Sequence, residues 1–291
     1  MVMTEIEKKI IRNALDEDAG KGDATTRATI DFQKKGKAFF LAKADGVLSG
    51  LEAARETFAI YSEMSAGTSS IRFEDLANDG ESITKGKRLA TIEAPLHVIL
   101  TAERVALNLM QRMSGIATMT KKFADAVSGT KAVILDTRKT APLLRPFDRY
   151  AVRCGGGKNH RYDLAEMILV KDNHIAANDG DVLAVVKELK EYFKTNPKIP
   201  VEIEVTSLDE FKVLLENGKG LVDRVMFDNF PLEKLREGVA MNNSAFETEA
   251  SGGVNLSSVR AIAETGVDFI SVGALTHSVT GLDISLKIES K

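Results

Sequence analysis

The chain has 291 residues, 44% of them apolar and 28% charged, with a net charge of -3. That length suits about two domains with sizeable cores, and the balance is that of an ordinary folded protein. It has no run of 18 apolar residues to span a membrane, its first residues (MVMTEIEKKIIRNALDED) are too charged for a secretory signal, one cysteine excludes an intrachain disulfide or a Cys-rich metal cluster, and the acidic balance speaks against binding nucleic acid, so a cytoplasmic protein is expected.

Ile6, Ile10, Ile11 and Leu15 recur at helical spacing, and residues 16–23 form a charged, glycine-containing break. Residues 37–48 (KAFFLAKADGVL) read as a strand leading into a turn and 52–64 as a helix. Residues 71–76 and 88–92 then read as short strands joined by the turn-rich NDGESITKG. These elements make an α+β module. Its DGESITKGKRLATIEA is similar to half of a lipoyl or biotinyl carrier domain, but no exposed Met-Lys hairpin accompanies it, so a structural hairpin is expected. Residues 96–119 form one long helix or two consecutive ones. There Val105, Leu109 and Met113 make an apolar stripe, and Arg104, Asn108 and Arg112 make a polar one, which by itself reads as a solvated face.

From residue 131 onward, strands alternate with helices. Strands are expected at 132–135, 167–170, 201–205, 224–227, 246–249 and 269–272, and helices at 182–193, 208–215, 232–239 and 256–263. This alternation favours a parallel sheet with helical crossovers, and six repeats of it point to an α/β barrel. The expected fold class is α/β, with an N-terminal α+β sandwich-like domain (1–112) followed by an α/β barrel (113–275). Residues 276–291 are expected to pack back on the first domain.

Chemistry in such barrels gathers at the carboxyl ends of the strands. Reading off those ends gives Arg138 and Lys139, then Lys171 with Asp172 and His174, then Glu204, Asp228, Ser251 with Gly252 and Gly253, and finally Gly273 with His277. Residues 136–171 hold eight cations (Arg138, Lys139, Arg145, Arg149, Arg153, Lys158, Arg161, Lys171) against four anions (Asp136, Asp148, Asp163, Glu166), which suits a highly anionic small molecule. Within that stretch, residues 140–164 show no sustained period and read as an ordered functional loop. SGGVNL and VGALTHS suit phosphate binding through backbone N–H groups. Glu204 and Asp228 lie in or just beyond apolar strands, where a lone carboxylate is costly, so each needs a partner. That partner is Lys139 or Lys171 in an ion pair, or else a polyol or a magnesium-bound diphosphate. No His or Cys spacing implies zinc, and none of the four histidines is assigned to a metal. Cys154, beside a glycine triplet, reads as a bystander.

Several long motifs occur in a fixed order: EDAGKGDATT, ERVALNLMQRMSGIAT, DTRKT, YAVRCGGGKNHR, LVKDNH, EIEV, FDN, EASGGV and VGALTHS. On these motifs the chain resembles, nearly end to end, the quinolinate phosphoribosyltransferases, decarboxylating enzymes of de novo NAD synthesis. The resemblance implies that the α/β barrel is open and incomplete, with six or seven parallel strands, and that the chain is a pentosyltransferase that joins quinolinate to phosphoribosyl pyrophosphate with Mg²⁺ as cofactor. It further implies homodimers, with or without higher assembly, in which one subunit's N-terminal domain and adjoining helix complete the partner's site.

Carried over residue by residue, the resemblance implies that Arg138, His160, Arg161 and Lys171 hold the two carboxylates of quinolinate, with Arg104 reaching them from the neighbouring subunit. Lys139 would contact the diphosphate, while Glu204 and Asp228 would engage ribose hydroxyls and the Mg²⁺-bound diphosphate. Ser251, Gly252, Gly253, Gly273 and His277 would take the 5'-phosphate, and Lys139, Lys171, Glu204 and Asp228 make the catalytic set. Two positions depart from the family pattern, Leu143 and Asp163, where glycines are expected. The alternatives are a molybdate-transport-associated pyrophosphorylase-like protein of the same superfamily and a Schiff-base aldolase using Lys171.

Overall fold

Caps set the first helices. In the computed structural model, which describes residues 3–65 and 70–289, helix α1 (Glu5–Ala19) opens at Thr4, whose N–H donates to the Glu7 carboxylate at 2.5 Å. Ile11 and Leu15 are buried while Ile6 faces out, and the helix runs on into the expected break before stopping at Gly20. Helix α2 (Ala24–Thr29) is capped by Asp23, which accepts from the Thr26 N–H at 2.9 Å. Strands β1 (Lys35–Ala42) and β2 (Gly46–Val47), helix α3 (Leu51–Met64), and strands β3 (Arg72–Asp75), β4 (Ser82–Ile83) and β5 (Arg88–Pro95) follow. Helix α4 (Leu96–Ala126) is a single helix of 31 residues, which decides between the one-helix and two-helix readings.

The remaining elements are β6 (Val133–Leu135), α5 (Arg145–Cys154), β7 (Ile168–Val170), α6 (Asp172–Ala176), α7 (Val182–Tyr192), β8 (Val201–Val205), α8 (Leu208–Asn217), β9 (Arg224–Asp228), α9 (Leu232–Asn242), β10 (Glu247–Ser251), α10 (Val259–Ala263), β11 (Phe269–Ser271), α11 (Ala274–His277) and β12 (Ile284–Ile288). They fall into two compact units. One comprises Met1–Lys121, Thr140–Gly156 and Leu275–Lys291, and the other Lys122–Lys139 and Gly157–Ala274.

The first unit holds an antiparallel sheet in the order β12-β1-β5-β3, so β1 has partners on both sides. Phe40 of β1 packs edge-on against Phe58 of α3, with ring centroids 6.2 Å apart.

The second unit holds six parallel strands in the order β6-β11-β10-β9-β8-β7. Strands β7 to β11 are laid down in chain order and the first strand, β6, joins beyond the last. Closure would need a β6–β7 ladder, and among the described residues none forms, so the sheet is an open α/β barrel. Lys158 runs beside the free edge of β6, bridging to Leu135 in parallel fashion. All five residues of β8 (VEIEV) are buried, as a strand covered on both faces requires.

Two expectations are corrected. Residues 140–164 are not without regular structure, because α5 occupies ten of them. Its period was hidden by a buried charge: Phe147, Ala151 and Val152 are buried together with Asp148. That carboxylate accepts from Arg112 Nε and Nη2, both at 2.8 Å, and burial still pushes its pKa above the usual range. The helix expected at 256–263 begins only at Val259, because the Asn255 side chain gathers the N–H groups of Ser257 and Ser258 into a turn.

Candidate active site

Arg138, Lys139, His160, Arg161 and Lys171 meet around one cavity of about 140 Å³ in the second unit, with Ser251 and Ser271 on its wall and Leu169 and Met226 as its apolar lining. A cavity of roughly 150 Å³ holds a single six-membered aromatic ring. The Nε atoms of Arg138 and Arg161 are buried and have no hydrogen-bond partner among the described residues. Burial, and then the neighbouring charge of Arg138, press the Arg161 pKa below its usual value. The site is therefore built around positive charge that awaits an anion.

The loop that carries these cations is pinned from below. Asp136, at the end of β6, is fully buried and accepts from Asn159 Nδ2 at 2.6 Å and the His160 N–H at 2.7 Å. Both nitrogens of the His160 ring lie close to protein groups. Nδ1 lies 2.7 Å from the Arg161 N–H, and Nε2 lies 3.0 Å from Glu202 and 3.6 Å from Glu249. Arg224 donates to Glu249 at 3.1 Å. Burial pushes both carboxyls up to about 7, Glu249 with a further push from the charge of Glu202, and burial also holds His160 below the usual imidazole pKa.

Sequence reasoning missed Glu202 and Glu249. A signal was available: residues two apart in a strand share a face, so a Glu204 facing the site places Glu202 on the same side. The ladder register continues the pattern, with Glu204 opposite Met226 and Met226 opposite Glu249.

A second group lies along β8, β9 and β10. Glu204 is buried and ion-paired with Lys171, the bland alternative foreseen for it, and the Lys171 ammonium also sits 3.6 Å from Met226 Sδ. Asp228 is half-buried at the end of β9, opposite Ser251 in the ladder, and accepts from Asn229 Nδ2 at 2.6 Å. Asn229 also donates its N–H to the Ser251 carbonyl at 2.8 Å. Gly252 has φ of +89°, and a Cβ there would stand 2.2 Å from Asn229 Oδ1, so this loop requires glycine on two counts.

Not every expected residue lines the cavity. Glu204, Asp228, Gly252, Gly253 and Gly273 lie outside its lining but belong to the same unit. Arg104, exposed on α4, and His277, whose Nδ1 is 2.7 Å from Ser278 Oγ, belong to the first unit. His174 serves locally, its Nδ1 accepting the Lys171 N–H at 2.8 Å as α6 begins. Asp163 is exposed and turns its carboxylate onto the N–H groups of Ala165 and Glu166. Leu143 takes the left-handed conformation that a glycine would adopt freely, with φ of +66°. Burial raises the Cys154 pKa above the usual thiol value, in keeping with a bystander.

An open parallel barrel with a cationic, ring-sized cavity at its strand ends, flanked by carboxylates and a glycine loop, defines an enzyme of small, highly anionic substrates. The chain belongs to the quinolinate phosphoribosyltransferase family, whose N-terminal domain matches residues 23–114 and whose C-terminal domain matches residues 116–287. It is 47% identical to the chloroplastic nicotinate-nucleotide pyrophosphorylase [carboxylating] of Arabidopsis thaliana, over 98% of this chain and 83% of that protein. It is 38% identical to the probable nicotinate-nucleotide pyrophosphorylase [carboxylating] of Bacillus subtilis, over 97% and 93% of the two chains. Among solved structures, the nicotinate-nucleotide pyrophosphorylase of Francisella tularensis superposes with a TM-score of 0.88 at 35% identity, covering 99% of this chain and 98% of that one. The enzyme from Ehrlichia chaffeensis gives 0.89 at 36%, covering 99% and 100%.

Proposed function

We propose that this chain transfers the phosphoribosyl group of phosphoribosyl pyrophosphate to quinolinate with decarboxylation, giving nicotinate mononucleotide, diphosphate and CO2. The observation that carries this reading is the gathering of Arg138, Lys139, Arg161 and Lys171 on one ring-sized cavity with an apolar lining. Quinolinate is a flat dianion and phosphoribosyl pyrophosphate carries several more charges, so the two repel each other. At an effective dielectric of about 20, a unit charge pair about 4 Å apart is worth roughly 4 kcal/mol, and a few cations offset that repulsion. Arginine forks also fix the plane of a carboxylate, which sets the pyridine nitrogen toward the sugar.

Arg138, Arg161 and Lys171 hold the substrate carboxylates in this reading, His160 belongs to the same wall, and Lys139 meets the diphosphate. Glu204 and Asp228, on neighbouring strands, face the ribose and stabilise the positive charge that develops at C1 as diphosphate leaves. The pyridine nitrogen bonds to C1, and the resulting pyridinium takes up the electron pair of the breaking C–C bond when the adjacent carboxylate departs as CO2; a proton from solvent replaces it on the ring. No side-chain nucleophile is needed. Two carboxylates beside a diphosphate suit Mg²⁺, which neutralises phosphate charge when bound, and Asp228 and Glu204 would hold it. Ser251, Gly252, Gly253, Gly273 and His277 take the 5'-phosphate.

The exposed Arg104 reaches the substrate of a second subunit, so the working form is a homodimer. No helix among the described residues is long and apolar enough to cross a membrane, and a cytoplasmic location goes with this reading. The test is incubation with quinolinate, phosphoribosyl pyrophosphate and Mg²⁺, with nicotinate as control acceptor and chelator in a parallel arm. Equal amounts of nicotinate mononucleotide and CO2 are expected, and their loss with chelator. Product from nicotinate but not from quinolinate would overturn the substrate assignment.

A further inference from the structure

We infer that Glu202, backed by Glu249, is a positioning residue of this site, fixing Arg161 through the tautomer of His160; the inference deepens the function proposed above and rests on it. The argument begins with one hydrogen bond. A backbone N–H can only donate, and that of Arg161 lies 2.7 Å from His160 Nδ1, so Nδ1 carries the lone pair and the ring proton sits on Nε2. Nε2 itself lies 3.0 Å from Glu202 and 3.6 Å from Glu249, close enough for a carboxylate there to favour a proton on it. Nδ1 is thus committed to the Arg161 N–H, Nε2 faces two carboxyl groups at ion-pair distance, and only 8% of the residue is exposed. The ring borders the cavity, and its Nδ1 has no hydrogen to offer a substrate carboxylate.

What the ring does instead is hold its neighbour. His160 is fixed at its own N–H by Asp136 and at Nδ1 by Arg161, with Glu202 3.0 Å from Nε2, so the Arg161 backbone is tied to the barrel core. The guanidinium is then aimed by the Met167 carbonyl at 3.0 Å. A ring with its proton on Nδ1 would confront the Arg161 N–H with another donor and push it away. The carboxylates prevent this by making Nε2–H the favoured form.

The same three side chains have ligand atoms within 4.8 Å of one another and donor types that suit a cation. A neutral histidine that bound metal through Nε2 would carry its proton on Nδ1, which the Arg161 contact forbids. The geometry therefore selects a proton over a metal ion.

The tautomer can be read directly from ¹⁵N spectra of histidine-labelled, unsubstituted protein. A neutral His160 ring protonated at Nε2 is expected; an Nδ1–H ring, an imidazolium, or a stoichiometric metal that shifts this ring would overturn the inference, whether or not the protein makes nicotinate mononucleotide. Kinetics supply the second arm. Glu202→Leu should raise KM for quinolinate about tenfold while KM for phosphoribosyl pyrophosphate changes less than about twofold, and Glu202→Gln, whose amide oxygen keeps partial negative charge beside Nε2, should restore most of the loss. Equal effects on both substrates, or no rescue by glutamine in a folded variant, would reduce Glu202 to a structural residue and overturn the proposal.

Discussion

Leu143 is an L residue with φ of +66° and 72% of its surface exposed, so it has the strain of the left-handed region and little packing in return. That conformation costs a non-glycine residue roughly 1 to 2 kcal/mol, while glycine gives back part of the gain through a freer unfolded chain. Leu143→Gly should therefore stabilise the protein by about 0.5 to 1 kcal/mol, seen as a rise of about 1 to 2 °C in Tm. A lower Tm would mean that the leucine side chain makes contacts worth more than its strain. At this scale, Arg138, Lys139 and Lys171 were legible because a cation just past an apolar strand has few reasons to be there. Glu202 and Glu249 were passed over: Glu202 shares a face with Glu204 and could have been found from it, but the meeting of Glu202 with Glu249 and His160 depends on pairing between strands that spacing does not encode. His160 was found as a site residue, but the contact at Nδ1 and the carboxyl beside Nε2 depend on distances that no spacing encodes.

Among elements, α5 shows how a buried ion pair defeats a hydrophobic pattern. Asp148 is fully buried and its only charge-balancing contact among those described is the two-pronged bond from Arg112. Arg112→Ala should cost about 3 to 5 kcal/mol by urea unfolding, because it leaves an uncompensated carboxylate inside the protein. Arg112→Lys should recover only part of this, since an ammonium cannot reproduce the paired geometry. A loss below about 1 kcal/mol for the alanine variant would show that Asp148 is protonated or finds another partner. The strands were the easiest elements to read, being short apolar runs between turns. The long helix was legible from its continuous stripe, though its end was not. The start of α10 was lost to Asn255, whose side chain competes with the helix for the same N–H groups.

For the molecule as a whole, alternation of strands and helices was enough to give a parallel α/β barrel, and the family resemblance implied an open one, but periodicity reports elements and not their pairing. The break between β6 and β7 had to be seen. Two predictions belong to this scale. The first concerns pH. Glu249 keeps its proton up to about 7 in the folded protein because burial penalises its charge, whereas it ionises near 4.5 when unfolded. The folded state then binds more protons between those values, so this group lowers stability as pH rises from about 4.5 to about 7 and by a constant amount above. His160 acts in the opposite sense over part of that range, its depressed pKa costing stability as pH falls through about 6.5, so the comparison must cancel it. Glu249→Gln should match the unsubstituted protein at pH 4.5 and exceed it above pH 7 by on the order of 1 to 3 kcal/mol. A difference independent of pH would place the proton elsewhere. The second concerns assembly. If Arg104 serves the partner's site, mixing inactive Arg104→Ala and Lys139→Ala subunits should restore up to about a quarter of normal activity, since half the dimers are hybrid and one of their two sites is intact. No recovery after proven subunit exchange would place the whole site within one chain.

The pairing of β12 with β1 also has a kinetic meaning. One flank of β1 stays without its ladder partner until residues 284–288, which follow all the barrel strands in the chain, leave the ribosome. Unsatisfied strand edges invite pairing with other chains, so translation that stalls after the barrel has emerged should yield nascent chains dependent on chaperones. An ending trimmed before residue 284 should behave the same way, harming solubility although it removes none of the cationic cavity's lining.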